Sequence, residues 1–131
     1  MSHISKIAVK IKSLAALGAA CEQLGLVFDA GATTHRYYGG MKNPCSGKIS
    51  VKDNTEAYEM GLVANGDGSF SLAWDKFAGG RGLVDVVGDN ASKLRQEYSA
   101  QVAIQQARRQ GFNRVTRKIN TDGSLVMEIS R

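Results

Sequence analysis

Apolar and polar positions alternate from the start of the chain. Ile7, Val9 and Ile11 fall on one side, and Lys6, Lys10 and Lys12 on the other. That period of two predicts a half-buried strand whose lysine face meets water and discourages edge pairing. The period then changes. Leu14, Leu17, Cys21 and Leu24 recur at helical spacing behind Ser13, a good N-cap, and Gly25 suits a left-handed stop. An amphipathic helix is expected over 14–24, with Cys21 on its buried stripe as a small hydrophobe.

The middle of the chain reads as strands and turns. Val27 and Phe28 can open a strand, and Thr33, Thr34, Tyr37 and Tyr38 favour extended backbone. Gly39-Gly40 and Asn43-Pro44 mark turns, and 48–52 alternates again. The clearest element is a hairpin. Tyr58, Met60 and Leu62 alternate, Asn65-Gly66-Asp67-Gly68 turns, and Phe70, Leu72 and Trp74 alternate back. Residues 78–82 read as a flexible connection, and Leu83, Val84, Val86 and Val87 as a short buried piece.

A long helix is expected from a cap at Asp89 or Asn90 to about Gln110. Its stripe is Ala91, Leu94, Tyr98 and Val102, and Gly111 ends it. At 1.5 Å per residue it spans about 30 Å. A second hairpin closes the chain, with Val115 and Ile119 before Asn120-Thr121-Asp122-Gly123, and Leu125, Met127 and Ile129 after it. Arg117 shares the parity of Val115 and Ile119, so it points toward the apolar side. Either it is an inward charge on a frayed edge, or it is held for a ligand. With no repeated β-α-β alternation, the pattern predicts a single domain over 1–131. The expected fold is α+β: a two-layer sandwich, a mostly antiparallel sheet with two helices on one face.

Composition changes the picture in one respect. At 131 residues, 43% apolar and 22% charged, the chain is globular. No apolar run approaches the roughly 20 residues of a membrane-spanning helix. The opening residues lack the apolar core of a signal peptide, so a soluble cytoplasmic protein is expected. The net charge of +5 is uneven: residues 1–75 are neutral, and 76–131 carry 10 Lys and Arg against 5 Asp and Glu. Such an asymmetry marks either an anionic partner or a solvated surface.

Candidate chemistry is sparse. His3, Cys21, His35 and Cys45 have no metal-site spacing, so no metal or cofactor is expected. Cys45 with His35 is the one nucleophile–base pair on offer. Glu56 and Glu59 fall on different strand faces and form no acid–base pair. Gly79-Gly80-Arg81-Gly82 lacks the context of a phosphate-binding loop, although a backbone nest could form there. The strongest signal is basic: Arg95, Arg108, Arg109, Arg114, Arg117 and Lys118, with Tyr37 and Tyr38 as aromatic neighbours. Three facts compete with it. Arg108 and Arg109 sit where cations favour a helix C-terminus. Lys93 and Arg95 share no helix face. Glu97 lies close enough to neutralise part of the patch.

Several stretches together resemble a small family of unknown function found in cyanobacteria, red-algal plastids and tailed phages. They are Met1-Ser2-His3-Ile4, 6–12, Leu14-Ala15-Ala16-Leu17, Leu24-Gly25-Leu26, Ala57-Tyr58-Glu59-Met60-Gly61, Asp67-Gly68-Ser69-Phe70 and Leu72-Ala73-Trp74-Asp75. Leu94-Arg95-Gln96-Glu97-Tyr98, Gln110-Gly111-Phe112 and Asp122-Gly123-Ser124-Leu125 continue the match, and 90–95 is most similar to the phage branch. The chain departs from longer relatives in its short segment between Tyr38 and Lys48. The resemblance implies no catalytic residue or cofactor. Gene neighbourhoods of some relatives include ATPases, which implies an accessory role.

The leading expectation is a non-enzymatic binding or regulatory module, a phage accessory protein acting on a host or viral protein partner in the host cytoplasm. One alternative is nucleic-acid or nucleotide binding through the basic helix and hairpin. Another is a small enzyme using His35 and Cys45. No membrane partner is expected, and a homo-oligomer is compatible with the pattern.

Overall fold

The structure, a computed structural model, describes residues 4–131, with backbone alone over 7–9. Five strands form an antiparallel sheet: β1 (Ile4–Ile11), β2 (Leu26–Asp29), β5 (Lys48–Val51), β6 (Met60–Ala64) and β7 (Phe70–Asp75), in spatial order β1-β7-β6-β5-β2. The expected 58–74 hairpin is the sheet's centre, with Leu62 opposite Leu72 and Gly61 opposite Ala73. Its first strand begins at Met60, because the Tyr58 N–H is drawn aside to the Gly80 carbonyl at 2.9 Å. β1 pairs with β7 and carries a register shift between Ile7 and Ile11. The inward side chains expected at Ile7 and Val9 lie outside the described ones, and Ile11 is buried.

One face of the sheet holds the core. Met60, Leu62, Leu72 and Trp74 meet α1 (Leu14–Gln23), the short α2 (Leu83–Val87) and α3 (Ser92–Arg109). The α+β fold with helices against an antiparallel sheet is therefore as the pattern implied. The helix stripes are shifted. Leu14 is 39% exposed, and Ala16, Leu17, Ala20 and Cys21 form the buried face of α1. Three of those four side chains are small, so α1 and α3 pack against each other closely. The Cys21 thiol, pushed up to about 12 by burial, behaves as the core hydrophobe expected.

Two other expectations are corrected. Asp89 and Asn90 do not cap α3. Residues 89–91 form a 3-10 turn with Asn90 and Ala91 left-handed, and α3 starts at Ser92 without a side-chain cap. The connection at 78–82 is an ordered left-handed turn rather than a flexible link, with Ala78 and Arg81 at φ of 52° and 55°.

Two small hairpins stand outside the main sheet. β3 (Thr34–Arg36) pairs with β4 (Lys42–Pro44), and β8 (Arg114–Ile119) pairs with β9 (Leu125–Ser130). Met60 and Leu62 point into the helix-side core, so Gly61 presents the opposite face, and there it meets β3. The β8–β9 hairpin packs on α3.

Candidate binding surface

The β8–β9 hairpin is fastened to α3 by one ion pair. Arg117 faces α3, as its parity requires, and its two guanidinium nitrogens donate to the two carboxylate oxygens of Glu97. The Nη1–Oε2 bond is 2.9 Å. Gln101 Nε2 donates to the same carboxylate at 3.1 Å, and Gln96 Nε2 reaches the Gly123 carbonyl at 3.4 Å. Burial alone would raise the Glu97 carboxyl. The hydrogen bonds from Arg117 and Gln101 outweigh it and hold the group below its ordinary value. Arg117 is therefore committed inside the protein. Glu97 is buried on the Leu94 side of α3, and its spacing of three from Leu94 was the available sequence signal.

The remaining cations lie differently. Arg108 and Arg109 are exposed in the last turn of α3, and Arg114 opens β8 directly after it. Arg114 pairs across the hairpin with Ser130, so the chain returns Arg131 to the same end, where its guanidinium sits 4.8 Å from the Phe112 ring centre. Arg131 was not among the residues singled out from sequence; only the hairpin register reveals it. Lys118 lies on the outer face shared with Arg114, about 13 Å further along the strand. None of these five cations takes part in an ion pair among the described residues. Arg95 is exposed near the other end of α3, about 20 Å away along the axis. Tyr37 and Tyr38 are also apart. They follow β3 on the far face of the sheet, where Tyr38 packs edge-on against Phe77 at 5.1 Å. The sequence grouped these residues; the fold gathers Arg108, Arg109 and Arg114 and leaves Arg95, Tyr37 and Tyr38 elsewhere.

A second polar cluster lies beneath β3–β4. His35 is buried, and its Nδ1 is 3.0 Å from the Glu59 carbonyl, which can only accept. Nδ1 therefore carries the proton, and Nε2 accepts from Asn43 Nδ2 at 3.1 Å. Burial lowers the imidazole below its ordinary value and keeps it neutral. Glu59 accepts from the Arg36 backbone N–H and from Lys48 Nζ, both at 2.8 Å. Burial would raise its carboxyl, and these donors hold it down. The Arg36 guanidinium donates to the Thr55 and Ala57 carbonyls at 2.7 and 2.8 Å. Cys45 and His35 both rest on Gly61. A Cβ there would lie 2.8 Å from His35 Nε2 and 3.0 Å from Cys45 Cβ. Burial raises the Cys45 thiol, and both His35 nitrogens are already bonded. The imidazole has no free nitrogen with which to deprotonate Cys45 in this arrangement.

Among the described residues, no group of three or more His, Cys, Asp or Glu could hold a metal ion. His3 lies outside those residues. No helix described is long and apolar enough to cross a membrane.

The sequence model of a family described as protein of unknown function, DUF1257, matches residues 20–127. The chain belongs to the DUF1257 family. No curated protein and no solved structure matches it. The DUF1257 match takes in the polar cluster, all of α3 and most of the β8–β9 hairpin, and begins after β1.

Proposed function

We propose that this chain is a non-enzymatic binding module that docks an acidic protein surface on the cationic end formed by α3 and the β8–β9 hairpin. The observation that carries the reading is the gathering of Arg108, Arg109, Arg114 and Arg131, with no carboxylate paired to any of them among the described residues. Arg117, on the same hairpin, is neutralised internally. The fold thus spends one arginine on holding the hairpin and leaves four facing outward. Desolvating such charges against carboxylates gives specificity and fast association. The resemblance of 90–95 to tailed-phage members suggests a host or viral protein in the host cytoplasm as the partner. The helix C-terminus itself favours Arg108 and Arg109, but it does not account for Arg114 or Arg131.

The test is affinity purification from the native cell with the wild-type chain and with the R108E/R114E variant as baits. Loss of a specific co-purifying protein from the variant, with an unchanged melting temperature, is the expected result. Equal recovery by both baits would refute the surface. Recovery of nucleic acid instead, with an affinity that falls steeply with salt, would favour phosphate-backbone binding.

A further inference from the structure

A cavity of about 540 Å³ lies away from the hairpin, between α3 and the junction of β1 with α1. These segments are some 90 residues apart in the chain, and no period or motif connects them. Lys10 of β1 and Lys12 just after it line it on one side, and Arg109 from the last turn of α3 lines it on the other. Among the described residues no carboxylate lines it. Lys10 is the only one of the three with an acidic neighbour among the described residues, a solvent-exposed contact of 3.7 Å to Asp67.

The uncharged groups also present donors. The Tyr98 hydroxyl accepts from the Lys12 and Ser13 backbone N–H groups, at 2.9 and 3.1 Å, which leaves its own proton to give. Gln105 accepts from the Ser13 hydroxyl through Oε1 at 3.2 Å, so its amide N–H₂ group is the end left free. Ser13 also caps α1, which has no acidic residue in its first turn. Three cations, a phenol and an amide converge as donors around one concavity. Val102 and the Tyr98 ring supply an apolar wall. The volume falls in the range of small-molecule sites, about 300–1,000 Å³.

We propose that this groove, built by Lys10, Lys12, Tyr98, Gln105 and Arg109, binds a small molecule carrying two or more linked phosphates. Linked phosphates match three separated positive charges better than a single carboxylate does. The proposal stands apart from the protein-docking reading. The two share only Arg109, so each can fail alone.

The experiment is an amide NMR titration of the intact protein with inorganic pyrophosphate, and separately with a ten-residue oligothymidylate. Saturable pyrophosphate shifts confined to the lining of the groove, Lys10, Lys12, Ser13, Tyr98, Gln105 and Arg109, are expected. Affinity should weaken about tenfold in Lys12→Gln and again in Arg109→Gln, as loss of a charged contact implies. Arg114→Gln and Lys118→Gln should leave it unchanged. Absence of saturable shifts, or equal weakening by Arg114→Gln, would overturn the proposal. Tighter binding of the oligothymidylate, with shifts running onto β8, would overturn it in favour of a nucleic-acid strand.

Discussion

The polar cluster beneath β3–β4 and the cationic end of α3 are both rich in charge, yet they are organised in opposite ways. Around His35 each strong donor meets an acceptor. Glu59 has Lys48 and the Arg36 backbone, Arg36 has two carbonyls, and His35 has Glu59 and Asn43. A buried polar group left unpaired costs about 1–3 kcal/mol, so such a network closes on itself and fixes one conformation. At the end of α3 the arginines face water, Arg131 over the Phe112 ring, and none is paired to a carboxylate among the described residues. Solvent already satisfies them, so they contribute little to folding and are available for another molecule. The closed cluster holds the β3–β4 hairpin on the sheet, and the open one is the surface proposed above for a partner.

The sharpest way to break the closed region is Gly61→Ala. The new methyl would enter the space of the His35 ring and Cys45, displacing the ring from both hydrogen bonds. Overpacking and lost bonds together should cost about 4 kcal/mol, roughly 15 °C in melting temperature. A thermal melt within a few degrees of wild type would show that the cluster is not tightly packed. Next in size is Arg117→Ala, which strands the buried Glu97 carboxylate and should cost about 3 kcal/mol. Amide hydrogen exchange would report it as lost protection in β8 and β9, while β6 and β7 stay protected.

Acid should act on the closed region first. His35 has a folded value below its ordinary 6.5, so its contribution is complete above that pH and declines as the pH falls toward the folded value. Glu59 and Glu97, both held below their ordinary 4.5, withdraw theirs at still lower pH. Melting temperature should therefore fall in two stages on acidification, and His35→Gln should remove the first. A single stage in the wild type would contradict the neutral, buried imidazole. The smallest expected effect on stability is that of R108E/R109E, within about 0.5 kcal/mol because both side chains are exposed.

The two regions also differed in how far the sequence disclosed them. The 60–75 hairpin and the long helix were plain, because alternation and helical spacing are local properties of the chain. Arg117 was visible as a charge at an apolar parity, and pairing with Glu97 resolves what it does. The tie between Lys48, Glu59, His35 and Asn43 was not visible, since it joins four segments whose spacing obeys no period. The α3 start was misplaced because the left-handed backbone at Asn90 and Ala91 overrides the capping preference of Asp89 and Asn90. Tyr37 and Tyr38 were joined to the arginines by residue type alone, and the sheet lies between them.

The most direct test of the contrast is lysine cross-linking mass spectrometry on the complex recovered from the native cell. Cross-links from the partner to Lys118, with none to Lys42 or Lys48, are the predicted result. Cross-links concentrated at Lys42 and Lys48 would put the working surface on the β3–β4 side and contradict the account.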